Sequence, residues 1–232
     1  MERKQPSCCK CGGGRSCPHC NGTTIIKSGK TKAYKQRYYC KGCRKRFITS
    51  YTYKAYSPDI NRQIVLFTKE GLGIRSTARV LSISTTTVLS RIIAIAKSIK
   101  QPAIVKGRIY EVDEMRTCVG NKKRVVWIVY ALDRLTKEVK SFNVGRRTNK
   151  TLRRVIRSLE LSQAKRICTD RLKNYRYIIH RKLHDIRTYG TNHIERYNLT
   201  LRTHLKRLHR RSICFSKSIA VLSAILRIYF WS

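Results

Sequence analysis

Residues 109–115 read IYEVDEM, and residues 125–133 read VVWIVYALD. These two stretches decide the fold class. The first has the period of a strand, with Glu111 and Asp113 on one face and Val112 and Glu114 on the other. The second is a mostly apolar run of strand length. Residues 137–144 form a third strand, with Leu135-Thr136 at the hairpin. Further along, residues 148–159 place Leu152, Val155, Ile156 and Leu159 at helical spacing. Residues 166–169 make a short strand ending at Asp170, and a helix follows over 173–180. Residues 192–207 read as a long helix. On it Asn192, Glu195, Asn198 and Arg202 share a face, opposite Ile194, Leu201, Leu205 and Leu208. Strands alternating with helices predict an α/β domain over residues 108–232.

The carboxylates at 111, 113 and 114 stand out against the rest of the chain. It has 52 Lys and Arg but only 12 Asp and Glu, a formal net charge of +40 over 232 residues. Self-repulsion on that scale opposes a compact fold unless a polyanion offsets it. Nucleic acid phosphates are the expected partner. An anionic membrane surface is the other candidate, but an ordinary soluble surface mixes both signs. Hydrophobic content of 41% supplies a core. The chain opens MERKQPSCCK, which is polar, and its most apolar run (residues 218–226) is too short to span a bilayer. The expected setting is therefore cytoplasmic and nucleoid-associated, with no membrane partner. In such a reducing compartment the 10 cysteines point to metal before disulfides.

CPHC (Cys17, Cys20) and CKGC (Cys40, Cys43) are two Cys-x2-Cys knuckles separated by 19 residues. That spacing suits four thiolates around one tetrahedral Zn²⁺. Cys8, Cys9 and Cys11 read as a loose tail. Lys27, Lys30, Lys32, Lys35 and Arg37, between the knuckles, make the ribbon a phosphate-contacting candidate. Ser57-Pro58-Asp59 starts a helix, with Ser57 as N-cap and Pro58 at the first helical position. Gly71-Leu72-Gly73 ends that helix. Residues 74–81 form a second helix, and Ser84 caps a third. A short helix, a tight turn and a helix opening Thr85-Thr86-Thr87 is the helix-turn-helix pattern, which places Thr85, Thr86 and Arg91 where DNA would lie. The expected division is a zinc ribbon over 1–50, a helix-turn-helix domain over 51–100, a linker over 101–107 (QPAIVKG) and the α/β domain over 108–232.

Asp113 on a first strand, Asp170 after a later strand and Glu195 on a following helix come from separate elements. Three such carboxylates can converge to hold two Mg²⁺ ions about 4 Å apart for phosphodiester chemistry. Glu111 shares the face of Asp113 as a supporting partner. Ion pairs account better for Glu114, Asp133, Glu138, Glu160 and Asp185. Arg146, Arg147, Lys150, Arg153, Arg154 and Arg157 crowd the outer face of the 148–159 helix without one acid, as on a phosphate track.

The motifs CPHC…RYYCKGCRKRF, GIRSTARVLSISTTTV, EVDE, ICTD and IERYNLTLRTHLKRLHRRSICFSKS resemble the insertion-sequence-1 family of prokaryotic transposases. The resemblance runs from about Cys17 to Lys217. It implies a DDE recombinase with a ribonuclease-H-like catalytic fold, using Mg²⁺ or Mn²⁺. By that resemblance Asp113, Asp170 and Glu195 match the three catalytic acids. Cys17, Cys20, Cys40 and Cys43 match the zinc ligands, and Arg202 matches a residue contacting DNA phosphates near the cleavage site. The chain departs from the pattern at Met115-Arg116, where an aromatic is common, and at Arg171-Leu172, where Gly-Trp is common.

The reading is a DNA transposase. It binds the terminal inverted repeats of its own element, cleaves a strand at the element end and joins the 3′-hydroxyl to target DNA. Joining two ends implies a homodimer or higher oligomer on double-stranded DNA. One rival is a DNA-binding repressor or an inactive transposase that binds ends without cutting. A more distant one is a tyrosine recombinase using Tyr229 with His204, Arg207, His209, Arg210 and Arg211.

Overall fold

The computed structural model describes residues 15–186 and 191–232. Cys8, Cys9 and Cys11 lie outside the described residues. The chain divides into two compact units, Met1–Tyr56 and Ser57–Ser232.

The first unit holds a three-stranded antiparallel sheet of β1 (Ile25–Lys30), β2 (Gln36–Cys40) and β3 (Arg46–Ile48), in that order. Its core is small: Tyr38 and Phe47 stack with centroids 5.8 Å apart, beside the buried Cys17 and Cys40. So few apolar contacts cannot carry a fold of this size, and a structural metal is the usual remedy.

The second unit opens with three helices, α1 (Ile60–Lys69), α2 (Ile74–Leu81) and α3 (Thr85–Ser98). Ser82 closes α2 in the left-handed region (φ 53°). The α2 and α3 axes then bend by 107°, within the range of a helix-turn-helix. Ser84 caps α3 as expected, its Oγ accepting from Thr87 N at 3.1 Å. The N-cap of α1 differs from expectation. It is Asp59, with no side-chain cap bond, because Ser57 is spent on a preceding turn in which its carbonyl accepts from Ile60 N at 3.3 Å.

The remaining elements are β4 (Ile109–Cys118), β5 (Val125–Asp133), β6 (Val139–Gly145), α4 (Asn149–Leu161), β7 (Arg166–Thr169), α5 (Lys173–Ile178), β8 (His184–Asp185), α6 (Asn192–His204) and α7 (Ile219–Trp231). The sheet order is β6-β5-β4-β7-β8. β4, β5 and β6 are antiparallel, while β4, β7 and β8 run parallel. This mixed five-stranded sheet is the ribonuclease-H-like arrangement implied by the resemblance.

Period-2 alternation divides the core between the two faces of the sheet. Met115, Ile128, Tyr130 and Leu132 pack against Ile194, Leu201, Leu222 and Leu226 of α6 and α7. Tyr110, Val112, Val129 and Ala131 pack against Leu152, Val155, Ile156 and Leu159 of α4. α7 also packs on α1 and α3, and its end is pinned from both sides. Lys69 Nζ donates to the Ser232 carbonyl (2.6 Å), Arg227 Nε to the Ile99 carbonyl (3.0 Å) and Trp231 Nε1 to the Val139 carbonyl (2.7 Å). Among the described residues no single helix is long and apolar enough to cross a membrane.

Candidate active site and nucleic-acid interface

β4 and β7 are parallel neighbours, and their last paired residues are Val112 and Thr169. The next residue on each is an aspartate. The register therefore sets Asp113 beside Asp170 where the parallel pairing of β4 with β7 stops, while β4 itself runs on to Cys118 against β5. Oxygens of Asp113, Glu114 and Asp170 all lie within 4.8 Å of one another.

Each acid is held in place. Asp113 Oδ1 accepts from Glu114 N (2.7 Å), and Asp113 Oδ2 accepts from Asn198 Nδ2 (2.6 Å). Asn198 Oδ1 accepts in turn from the buried Tyr130 hydroxyl at 2.8 Å. Asp170 Oδ1 accepts from Leu172 N at 3.1 Å. Burial raises the Asp113 carboxyl to about 6, and the charges of Glu114 and Asp170 add to the rise. A pocket of crowded carboxylates fits a hard divalent cation, which takes oxygen ligands and offsets their mutual repulsion.

Glu111 is completely buried on the face it shares with Asp113. Its Oε2 accepts from Ile194 N (2.9 Å) and its Oε1 meets His193 Nδ1 (2.7 Å), with Arg134 Nε 3.6 Å away. It thus caps the first turn of α6 from a neighbouring strand and fixes where that helix starts relative to Asp113. A carboxylate suits this position because it satisfies an orphan N–H and complements the helix dipole.

The structure brings Asp113 and Asp170 together and adds Glu114, which sequence reasoning assigned to an ion pair. The pairing is there too: Arg147 Nη2 and Nε donate to Glu114 Oε1 at 2.6 and 3.0 Å, and Tyr175 OH donates to Oε2 at 2.7 Å. Glu195 stands apart from this cluster. Its carboxylate is exposed and accepts from Thr191 Oγ1 at 3.0 Å. It lies one turn before Asn198 on the same α6 face, so its helix is placed against Asp113 even though its oxygens are not. Arg202, the next turn on, is half-buried and donates to the Leu208 carbonyl at 3.0 Å. Of the other acids, Glu138 pairs with Lys140 and Asp185 with Arg166. Asp133 instead caps its turn, accepting from Leu135 N at 2.8 Å.

The expected cationic face is exposed at Arg146, in the loop before α4, and at Lys150, Arg153, Arg154 and Arg157 on α4. Arg147, at the start of this track, also has a partner inside the protein. Its guanidinium is turned onto Glu114 Oε1 and lies 4.4 Å over the Trp127 ring, because a buried carboxylate makes strong charge-assisted hydrogen bonds to a guanidinium. Thr85 and Thr86 are exposed at the start of α3, and Arg91 is half-buried. Thr85 lines a cleft of about 1380 Å³ together with Arg75, Lys206, Arg207 and Lys217.

In the first unit, Cys17 and Cys43 Sγ are 3.6 Å apart, as are Cys20 and Cys40 Sγ. A tetrahedral zinc with Zn–S near 2.3 Å needs sulfur separations of about 3.8 Å. The two knuckles close alike, each followed by a left-handed residue, Asn21 (φ 57°) and Arg44 (φ 57°). The four thiols fit Zn²⁺.

Comparison with known proteins gives the following. Residues 107–231 match the family described as IS1 transposase, of the DDE type, and residues 51–93 match the InsA C-terminal domain. An insertion element IS1 protein InsB from Escherichia coli (strain K12) is 41% identical over 119 residues, 51% of this chain and 71% of the relative. One from Shigella flexneri is 39% identical over 119 residues, 51% of this chain and 91% of the relative. Among solved structures, a simian T-cell lymphotropic virus intasome in complex with a PP2A regulatory subunit aligns with TM-score 0.38 and 16% identity, covering 70% of this chain and 66% of that one. The HTLV-2 integrase catalytic core domain in complex with magnesium aligns with TM-score 0.35 and 15% identity, covering 55% and 86%.

Proposed function

The chain belongs to the IS1 transposase family, and from that premise we propose that it binds the terminal inverted repeats of its own insertion sequence and catalyses strand cleavage and 3′-hydroxyl transfer into target DNA. The observation that carries this reading is the juxtaposition of Asp113 and Asp170 on two neighbouring parallel strands, where their pairing stops, inside a chain of net charge +40.

Asp113, Asp170 and Glu195 are the ligand set for Mg²⁺ or Mn²⁺, with Glu195 contributed from α6. When bound, such ions act as Lewis acids toward phosphodiester oxygens. The chain's own groups do the rest. Asn198 holds one oxygen of Asp113 and leaves the carboxylate a single orientation. Glu111 sets the start of α6, and with it the approach of Glu195. Arg202 carries a positive charge near Asp113 and neutralises phosphate beside the site. Arg146, Lys150, Arg153 and Arg154 track the DNA backbone, and Thr85, Thr86 and Arg91 contact the element end through α3. Cys17, Cys20, Cys40 and Cys43 hold Zn²⁺ and stabilise the ribbon. Two element ends require at least two copies of the chain. DDE membership sets aside the tyrosine recombinase, and Tyr229 instead bonds His204 Nδ1 at 2.6 Å.

Footprinting on a plasmid carrying both ends of the element tests the binding half. Protection of the terminal repeats, lost on Thr86→Glu but kept on Asp113→Asn, is the expected result. Uniform protection of the plasmid would contradict end recognition.

A further inference from the structure

The β1–β2 hairpin ends in residues 31–35, TKAYK. Tyr34 sits at this tip with φ 56° and is 85% exposed. Both facts run against local preference. A bulky residue in the left-handed region is an outlier, and Gly or Asn is the ordinary occupant. Elsewhere in the ribbon the left-handed positions are Asn21 at φ 57°, Gly29 at φ 71° and Arg44, which follows a zinc knuckle, at φ 57°. An aromatic of this size is ordinarily covered, yet here it projects into solvent.

The tip is rigid. Thr31 N donates to the Lys35 carbonyl (2.8 Å), Tyr34 N to the Thr31 carbonyl (2.9 Å) and Lys35 N to Thr31 Oγ1 (3.1 Å). Below it, Gln36 Nε2 donates to the carbonyls of Gly29 and Arg37, both at 2.9 Å. The backbone that carries the ring is therefore held in one conformation. Lys30, Lys32 and Arg37 flank it along the hairpin, all exposed, and residues 3–58 contain no Asp or Glu. Cations select a polyanion, and an exposed ring selects a flat apolar face. Nucleic acid offers both.

We infer that the hairpin tip is a second DNA contact of this chain, in which Tyr34 stacks on an unpaired base while Lys30, Lys32 and Arg37 meet the flanking phosphates. A base inside a duplex has both faces covered by its neighbours, whereas an unpaired base leaves one open to an aromatic ring. This inference rests on the DNA-binding reading above and specifies which strand state the ribbon recognises.

The test uses the full chain with zinc retained and no Mg²⁺. The probes are an oligothymidylate carrying one central 5-iodouracil and a duplex of the same length. Wild type is expected to bind the single strand and to photocrosslink through the peptide containing Tyr34. Tyr34→Asn suits the left-handed backbone better, so it keeps the fold. It is expected to lose roughly 10-fold in single-strand affinity and to leave the salt dependence unchanged, because no charge is removed. Lys32→Ala is expected to lower the slope of log K against log salt by about 0.7. Tyr34→Phe is expected to bind like wild type. If Tyr34→Asn binds the single strand as tightly as wild type, or weakens only duplex binding, the stacking inference is wrong while DNA binding stands. If wild type binds neither probe, the DNA-binding reading itself fails.

Discussion

Burial raises the Asp113 carboxyl to about 6, ahead of the repulsion from Glu114 and Asp170. A carboxyl whose pKa is higher folded than unfolded favours the fold in its protonated form. That contribution is complete below the unfolded value of 3.8 and is lost as pH rises through about 6. At neutral pH, without a divalent cation, the ionised carboxylate costs up to ~3 kcal/mol. Asp113→Asn removes that cost, so thermal unfolding in Mg²⁺-free buffer at pH 7 should give a higher Tm for the variant, with the gap closing toward pH 4. A variant no more stable than wild type at pH 7 would contradict the buried setting. Asn198→Ala releases one Asp113 oxygen and should weaken Mg²⁺ affinity about 10-fold, read as the Mg²⁺ dependence of Tm; an unchanged titration would remove Asn198 from the site. Asp113 and Asp170 were legible in the sequence because one lies within and the other just after a strand with clear periodicity. The Tyr130–Asn198–Asp113 chain was not, since it joins residues 68 and 85 positions apart. The Arg147–Glu114 pair was not legible for a related reason. A charge run shows where cations lie along a helix, but not that a buried glutamate from another strand reaches one of them.

Among elements, α2, β5 and β7 have the ends that periodicity and turn residues gave them. α7 was not assigned. It is apolar on all sides because it lies between the sheet and the α1–α3 helices, so it has no polar stripe to reveal a helical period. β8 has only two residues, too few for any pattern. Gly71 was legible as a helix stop but not for its second duty. Its φ is 74°, and a Cβ there would meet the His204 carbonyl oxygen at 2.0 Å. The α1–α2 loop thus presses on the end of α6. Gly71→Ala must move one of these backbones as well as bear the left-handed strain of roughly 1–3 kcal/mol. A clear drop in Tm is expected, and a silent Gly71→Ala would mean the two segments do not touch.

At the scale of the molecule, the two compact units predict separate responses to metal loss. Stripping zinc should expose the backbone amides of residues 15–56 to hydrogen exchange while the sheet of the second unit stays protected. Loss of protection throughout would mean the ribbon is not an independent unit. The charge of +40 concerns the whole chain. Charge of that size favours salt-dependent binding to DNA, and within it Asp113, Glu114 and Asp170 form a cluster of oxygens suited to a hard cation. The most direct test is strand cleavage of labelled element-end DNA with Mg²⁺ or Mn²⁺, comparing wild type with Asp113→Asn, Asp170→Asn and Glu195→Gln. The account predicts that wild type cuts and that all three variants bind the end without cutting. Cleavage by Asp113→Asn or Asp170→Asn at the wild-type rate would contradict it.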